Sequence, residues 1–145
     1  MVTPLEYIQK YVNVKIAPSK IHGVGIFALR DIEIGEPLFV EWLGESIEYF
    51  LTHTDFSDLN ENVQNHLYDM FEFEKTNDDW KMKIVLNKNC HWIFKTPLHW
   101  VNSCMQNETP NFDKKTMLAT KKILSGEELF TKYGKYDKFV RTNII

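Results

Sequence analysis

ILSGEELFTKYG, residues 123–134, decides the reading of the fold, because ILSGEELFTKY aligns without gaps on IEIGEPLFVEW, residues 32–42. Ile, Gly, Glu, Leu and Phe coincide. In each copy the glycine makes a turn easy. The alternation behind it places Leu38, Val40 and Trp42, or Leu129, Thr131 and Tyr133, on one strand face. Two similar hairpins are predicted. Any Gly-Glu turn ahead of an apolar strand would look alike, so the echo speaks for topology only.

Outward from these copies, the first third reads as short strands, VNVKIA (12–17), GIFAL (25–29) and PLFVEWL (37–43), punctuated by Gly23, Gly25, Gly35 and Gly44. From Ser57 to Phe73 the texture changes. Leu59, Val63, Leu67 and Met70 or Phe71 recur at three- and four-residue spacing behind a Ser57/Asp58 cap, which predicts a helix of about four turns. KIVL (83–86), HWIF (91–94), MLATKKI (117–123) and ELFTKY (128–133) return to strand, separated by Pro97, Pro110 and the Ser125-Gly126 turn. Strand, helix, strand predicts an α+β domain that is mostly β.

The 145 residues suffice for one core, and 43% hydrophobic with 26% charged residues is the make-up of a folded globular chain. Aromatics at 14% favour strands and a ring-lined pocket. A net charge of −3 with mixed signs gives no basic face for nucleic acid. Cys90 and Cys104 lack the partners of a structural zinc site, so no metal is expected. MVTPLEYIQKYVNV is not built like a secretion signal, and no apolar run reaches membrane-spanning length. The expectation is an intracellular protein, nuclear or cytoplasmic, with no membrane partner.

Three stretches carry candidate chemistry. SKIHGVGIFA (19–28) sets Gly23 and Gly25 before a strand, so the backbone can bend and approach a ligand. A dinucleotide fold would need a third glycine and a following helix, and neither is present. An ordinary tight turn and a ligand loop both remain open. LHWVNSC (98–104) holds Asn102, Ser103 and Cys104. An Asn there can serve an ammonium and a carboxylate or purine, or simply cap a turn. Cys104 with His99 shows no spacing that activates a thiol nucleophile. In GEELFTKYG (126–134), Tyr133 ends a strand before Gly134. Its phenol either faces a cleft or packs inward.

In this order, the glycine bend before GIFA, IEIGEPLFVEWLGE, the Asn-Ser-Cys cluster and GEELFTKYG resemble a SET domain, from about Val14 to Gly134. The resemblance implies one domain over 1–145, a SET-type β-clip fold of small curved sheets. It further implies a knot-like C-terminal crossing, a helical insert over about 50–92 and a tail at 135–145. It implies a protein-lysine methyltransferase using S-adenosyl-L-methionine. His22, Gly23, Val24 and Gly25 would hold the methionine part of that cofactor, largely through backbone groups, and Asn102 and Ser103 would complete the site. Tyr133 would be catalytic and border the cofactor. Phe139 or Tyr136 would cover the adenine. Tyr68, Phe71, Trp100 and Tyr136 would line the substrate channel, with Phe73 nearby; for Tyr68, Phe71 and Phe73 a place in the core is the alternative.

The implied partner is a lysine-containing protein or peptide, with a histone tail as one candidate. A homodimer that closes the cofactor site is another implied arrangement. Where the family commonly reads NHSC, this chain has Asn102-Ser103-Cys104, closer to the PR subgroup, which holds active and inactive members. The cysteine-rich flanking segments of many members are not seen; KYDKFVRTNII follows Tyr133-Gly134. Two alternatives stand beside the enzyme: a SET-like binding module without transfer chemistry, and a structural β-clip module.

Overall fold

Thr3 opens the first element of the computed structural model, which describes residues 2–21, 23–76, 79–92, 100–103 and 109–132. Its side chain accepts from Glu6 N at 3.2 Å, and Pro4 takes the first helical position, where a missing N–H costs nothing. Helix α1 therefore runs Pro4–Tyr11. Tyr7 and Ile8 on its inner face are buried, and the Tyr7 hydroxyl donates to Val40 O at 2.6 Å.

Strands β1 (Val14–Pro18) and β2 (Val24–Ala28) form an antiparallel hairpin with Val14 opposite Ala28 and Pro18 opposite Val24. Both coincide with predicted strands. The PLFVEWL strand is not formed. Phe39 adopts φ 61°, a left-handed conformation that interrupts a pleat, and only isolated bridges at Pro37 and Trp42 remain. Leu38 and Phe39 are consequently both buried, rather than alternating in and out.

The two echoed segments make the same turn. Gly35 and Gly126 sit at φ 83° and 87°, and Glu36 N and Glu127 N each donate 3.0 Å across it, to Glu33 O and Leu124 O. Glu36 and Glu127 fold their carboxylates back onto Glu33 N and Leu124 N at 3.2 and 2.6 Å. They do not close as separate hairpins, however. Ile32 and Ile123 exchange both backbone hydrogen bonds, at 2.7 and 2.8 Å. Leu38 N donates to Met117 O, and Leu129 N to Ile26 O, both at 2.7 Å. Each chain leaving one turn thus pairs with the chain entering the other. The short strand β8 (Leu118–Ala119) pairs with β7 (Phe112–Asp113), so MLATKKI is strand over two residues only, followed by the bridge at Ile123.

The predicted four-turn helix is two helices. α2 covers His53–Ser57 and α3 covers Glu61–Met70. Asn60, not Ser57 or Asp58, caps α3 by accepting from Asn62 N at 2.9 Å, whereas Ser57 Oγ donates back to His53 O. Val63 and Leu67 face the core as the spacing predicts, while Met70 is exposed. Nor is the insert purely helical. β3 (Ile47–Thr52), β4 (Phe73–Thr76) and β5 (Asp79–Leu86) form an antiparallel sheet in the order β3-β5-β4. His91 and Trp92 of HWIF lie outside any strand; its other residues, and Cys104 and His99, lie outside the described residues.

Two apolar clusters result. One gathers α1, α2, α3, β3, β5, Trp42 and Trp92. The other gathers the cross-paired segments, with Ile26, Ala28, Ile32 and Leu38 against Ala119, Ile123 and Leu129. Two buried histidines bear on stability. Burial pushes His91 down to about 4, and burial aided by the charge of Lys15, against Asp69, pushes His66 down to about 4.

An unfolded histidine titrates near 6.5, so between about pH 4 and 6.5 the unfolded chain binds more protons than the folded one. Stability is therefore complete above this window and falls with acidification, by up to about 1.4 kcal/mol per pH unit for each histidine. Urea midpoints measured from pH 7.5 to 4.5 should fall across that range, and a flat profile would contradict the assignment. A His66→Phe variant should show a shallower fall.

Candidate functional site

The crossing of the echoed segments brings three remote stretches together. β9 (Phe130–Thr131) runs parallel to β6 (Asn102–Ser103), pairing Phe130 with Asn102 and Thr131 with Ser103. On its other flank Glu128 bridges Phe27 of β2. The residues before Tyr133 thus lie between the glycine bend and the Asn102 loop.

At that meeting point sits a buried carboxylate. Glu128 is 7% exposed and accepts from Ser19 Oγ at 2.7 Å and 3.0 Å, one contact to each oxygen, and from Asn102 Nδ2 at 2.9 Å. Asn102, 4% exposed, donates from the same Nδ2 to Val24 O at 3.0 Å. Ser19 Oγ accepts from Ile21 N at 3.0 Å, and Ser19 N donates to Gly23 O at 2.8 Å, which ties off the bend. Asn111 braces the strand from behind: its Nδ2 donates to Glu128 O at 2.9 Å and its Oδ1 accepts from Phe130 N at 2.8 Å.

Gly25 and Gly23 serve differently. A Cβ at Gly25 would run into Glu128 Oε2 and stand 2.8 Å from Glu128 Cδ and 3.1 Å from Asn102 Nδ2. The glycine lets the carboxylate lie against the backbone. Among the described residues, a Cβ at Gly23 would meet nothing within 4 Å, and the residue sits at φ 50°, so here no described side chain crowds the bend. An open backbone beside a buried amide fits the polar amino-acid end of S-adenosylmethionine, which needs both donors and acceptors.

Val24, Gly25 and Asn102 are therefore brought together, with Gly23 in the same bend and Ser103 next in β6. His22, Tyr133, Tyr136 and Phe139 lie outside the described residues. Of the residues assigned to the channel, Tyr68 is 44% exposed and belongs to an aromatic group with Phe56, Phe73 and Trp80, its ring centroid 4.9, 5.5 and 6.0 Å from theirs. With Thr52, His53 and Asp79 it lines a cleft of about 610 Å³ on the insert. Phe71 packs on the first core, 6.1 Å from the Trp92 ring. Trp100 is 42% exposed, two residues before Asn102.

Glu128 and Ser19 were not among the residues singled out from sequence. A signal existed in the echo: Glu36 and Glu127 match and serve the same turn, whereas Glu128 stands where the first copy has Pro37.

A family model described as "SET domain" matches residues 23–134. No curated protein sequence matches the chain. Among solved structures, the chain is similar to a Plasmodium falciparum protein assigned to the histone methyltransferases. That match has 17% identity and a TM-score of 0.35, and covers 85% of this chain and 94% of that one. It is also similar to a humanised mutant of Chaetomium thermophilum Polycomb Repressive Complex 2 bound to an inhibitor, at 21% identity and a TM-score of 0.40. There 91% of this chain is covered but only 16% of that one.

Proposed function

We propose that this chain, which belongs to the SET domain family, transfers a methyl group from S-adenosylmethionine to a lysine side chain of a protein. The observation that carries the reading is the meeting of the glycine bend, Asn102 and the strand leading to Tyr133 around one buried carboxylate. The bound cofactor supplies an electrophilic methyl group on a positively charged sulfur. The backbone of Gly23 to Gly25 and the amide of Asn102 hold its amino-acid end, with His22 and Ser103 beside them.

The lysine reaches the site as an ammonium with a pKa near ~10.4, and an ammonium has no lone pair for attack. Desolvation in a ring-lined channel and a neighbouring positive charge would both favour the neutral amine, its proton passing to solvent water before transfer, so no dedicated base is required of this chain. The Tyr133 hydroxyl orients the amine in line with the methyl group. A phenol suits this task because an anion at that place would favour the protonated lysine. Tyr68, Phe71, Trp100 and Tyr136 are the candidate walls of the channel, and Phe139 or Tyr136 the cover of the adenine. A histone tail, which the family resemblance suggests, is the first substrate to test.

Incubation with labelled S-adenosylmethionine and candidate proteins, histones included, followed by mass spectrometry, should reveal methylated lysines. Asn102-Ser103-Cys104 in place of the common NHSC favours a second reading, a binding module without transfer. Calorimetry separates the two. A protein that binds no S-adenosylmethionine and labels neither itself nor a partner fits the second reading and removes the first.

A further inference from the structure

Glu128 is an expensive residue for the fold alone. A carboxylate taken out of water loses solvation that hydrogen bonds only partly replace, and no described lysine or arginine forms an ion pair with it. The scaffold does not require it: the equivalent position in the first echoed copy is Pro37, which makes the same kind of bridge, to Leu118, as Glu128 makes to Phe27. What distinguishes the second copy is the company of Asn102 and the glycine bend.

An ionised carboxylate only accepts hydrogen bonds, so the Asn102 group facing it must be the donor end of the amide. Nδ2 then spends its two hydrogens on Glu128 Oε2 and Val24 O, and the amide plane is fixed. Asn102 Oδ1 consequently points its lone pairs away from the carboxylate, and an amide oxygen with two of them accepts from a ligand alongside any other donor. A glutamine at 128 would lose this command. Its side chain offers a donor as well as an acceptor, so only Val24 O would still demand the donor end of Asn102, and the amide would be held less firmly.

Resting on the functional reading above, we infer that Glu128 is a positioning residue for cofactor binding: it fixes the Asn102 amide so that Oδ1 accepts from the ammonium of the cofactor's amino-acid end. The role concerns that end alone. The adenosine half of the ligand is held elsewhere and should not register the change.

Two ligands separate these halves. S-adenosylhomocysteine carries the amino-acid end, and 5′-methylthioadenosine lacks it. Calorimetric titration of Glu128→Gln should show about a 10- to 100-fold loss for S-adenosylhomocysteine, the scale of one hydrogen bond to a charged group, and less than about 3-fold for 5′-methylthioadenosine. Asn102→Ala should give a similar selective loss, and the double variant should lose no more than the larger single one.

Equal losses for both ligands, or losses that multiply in the double variant, would overturn the assignment and leave Glu128 a structural residue. Unchanged S-adenosylhomocysteine binding in Glu128→Gln would overturn it as well. If Glu128→Gln does not fold, Glu128→Asp, whose carboxylate is one methylene too short to hold Asn102, carries the same comparison. A wild-type protein that binds neither ligand overturns the functional reading and this inference together, whereas the other outcomes touch this inference only.

Discussion

Tyr133→Phe is expected to lower methyl transfer by roughly 100- to 1,000-fold, the scale seen when one preorganised hydrogen-bond donor is removed from a reacting centre. The substitution keeps the ring and deletes one oxygen. The ring is thereby conserved, and Thr131, two residues earlier in sequence, keeps its pairing with Ser103. Circular dichroism and the unfolding midpoint should stay near the wild type, as should affinity for S-adenosylhomocysteine, because the proposed function assigns the amino-acid end to Asn102 and the glycine bend. Turnover with a labelled cofactor is the measurement. Full activity in this variant would remove Tyr133 from the reaction, and equal losses of binding and turnover would make it a packing residue.

The parts of this fold that could be read from sequence are those set by local chemistry. Gly35-Glu36 and Gly126-Glu127 form the same turn because a left-handed glycine and a back-folding carboxylate are properties of a four-residue segment. Their partners are not local. Nothing in IEIGEPLF says that Leu38 will pair with Met117 rather than with its own upstream strand. Phe39 in a left-handed conformation is likewise a tertiary outcome, held where its ring meets His91 and Phe112.

Helix α1 is marked by Thr3-Pro4 with Glu6, but its eight residues show little periodicity. Strand β3 was hidden by Phe50. Its apolar ring faces outward under Lys81 Nζ, 4.8 Å from the ring centre, and spoils the alternation that marks a half-buried strand. In the site, Gly25 and Asn102 were visible as residue types suited to a ligand. Their contact, and the carboxylate between them, depends on the crossing of β9 beside β6. No spacing records that.

Gly25→Ala should be strongly damaging to the site. Its Cβ would collide with Glu128 Oε2, and neither side can easily yield. Gly25 is paired with Ala17 in the β1-β2 hairpin, the neighbouring Ile26 O accepts from Leu129 N at 2.7 Å, and the carboxylate is held by Ser19 and Asn102. Overpacking of this kind costs about 1–3 kcal/mol, and displacing the carboxylate adds about 1.5–3 kcal/mol for a charged hydrogen bond. For a domain of this size the melting temperature should fall on the order of 10 °C. S-adenosylhomocysteine affinity should drop by more than about 100-fold, since Asn102 loses its orientation as well.

Gly23→Ala is the control. Its Cβ meets no described residue within 4 Å, and the left-handed backbone at φ 50° resists at about 1–2 kcal/mol. Thermal unfolding should therefore rank Gly25→Ala well below Gly23→Ala, and the reverse order would mean that Glu128 does not occupy the space Gly25 leaves. Adding Glu128→Ala to Gly25→Ala removes the colliding group. The double variant should regain stability relative to Gly25→Ala while cofactor binding stays lost, because relief of a clash restores packing and not the acceptor that orients Asn102.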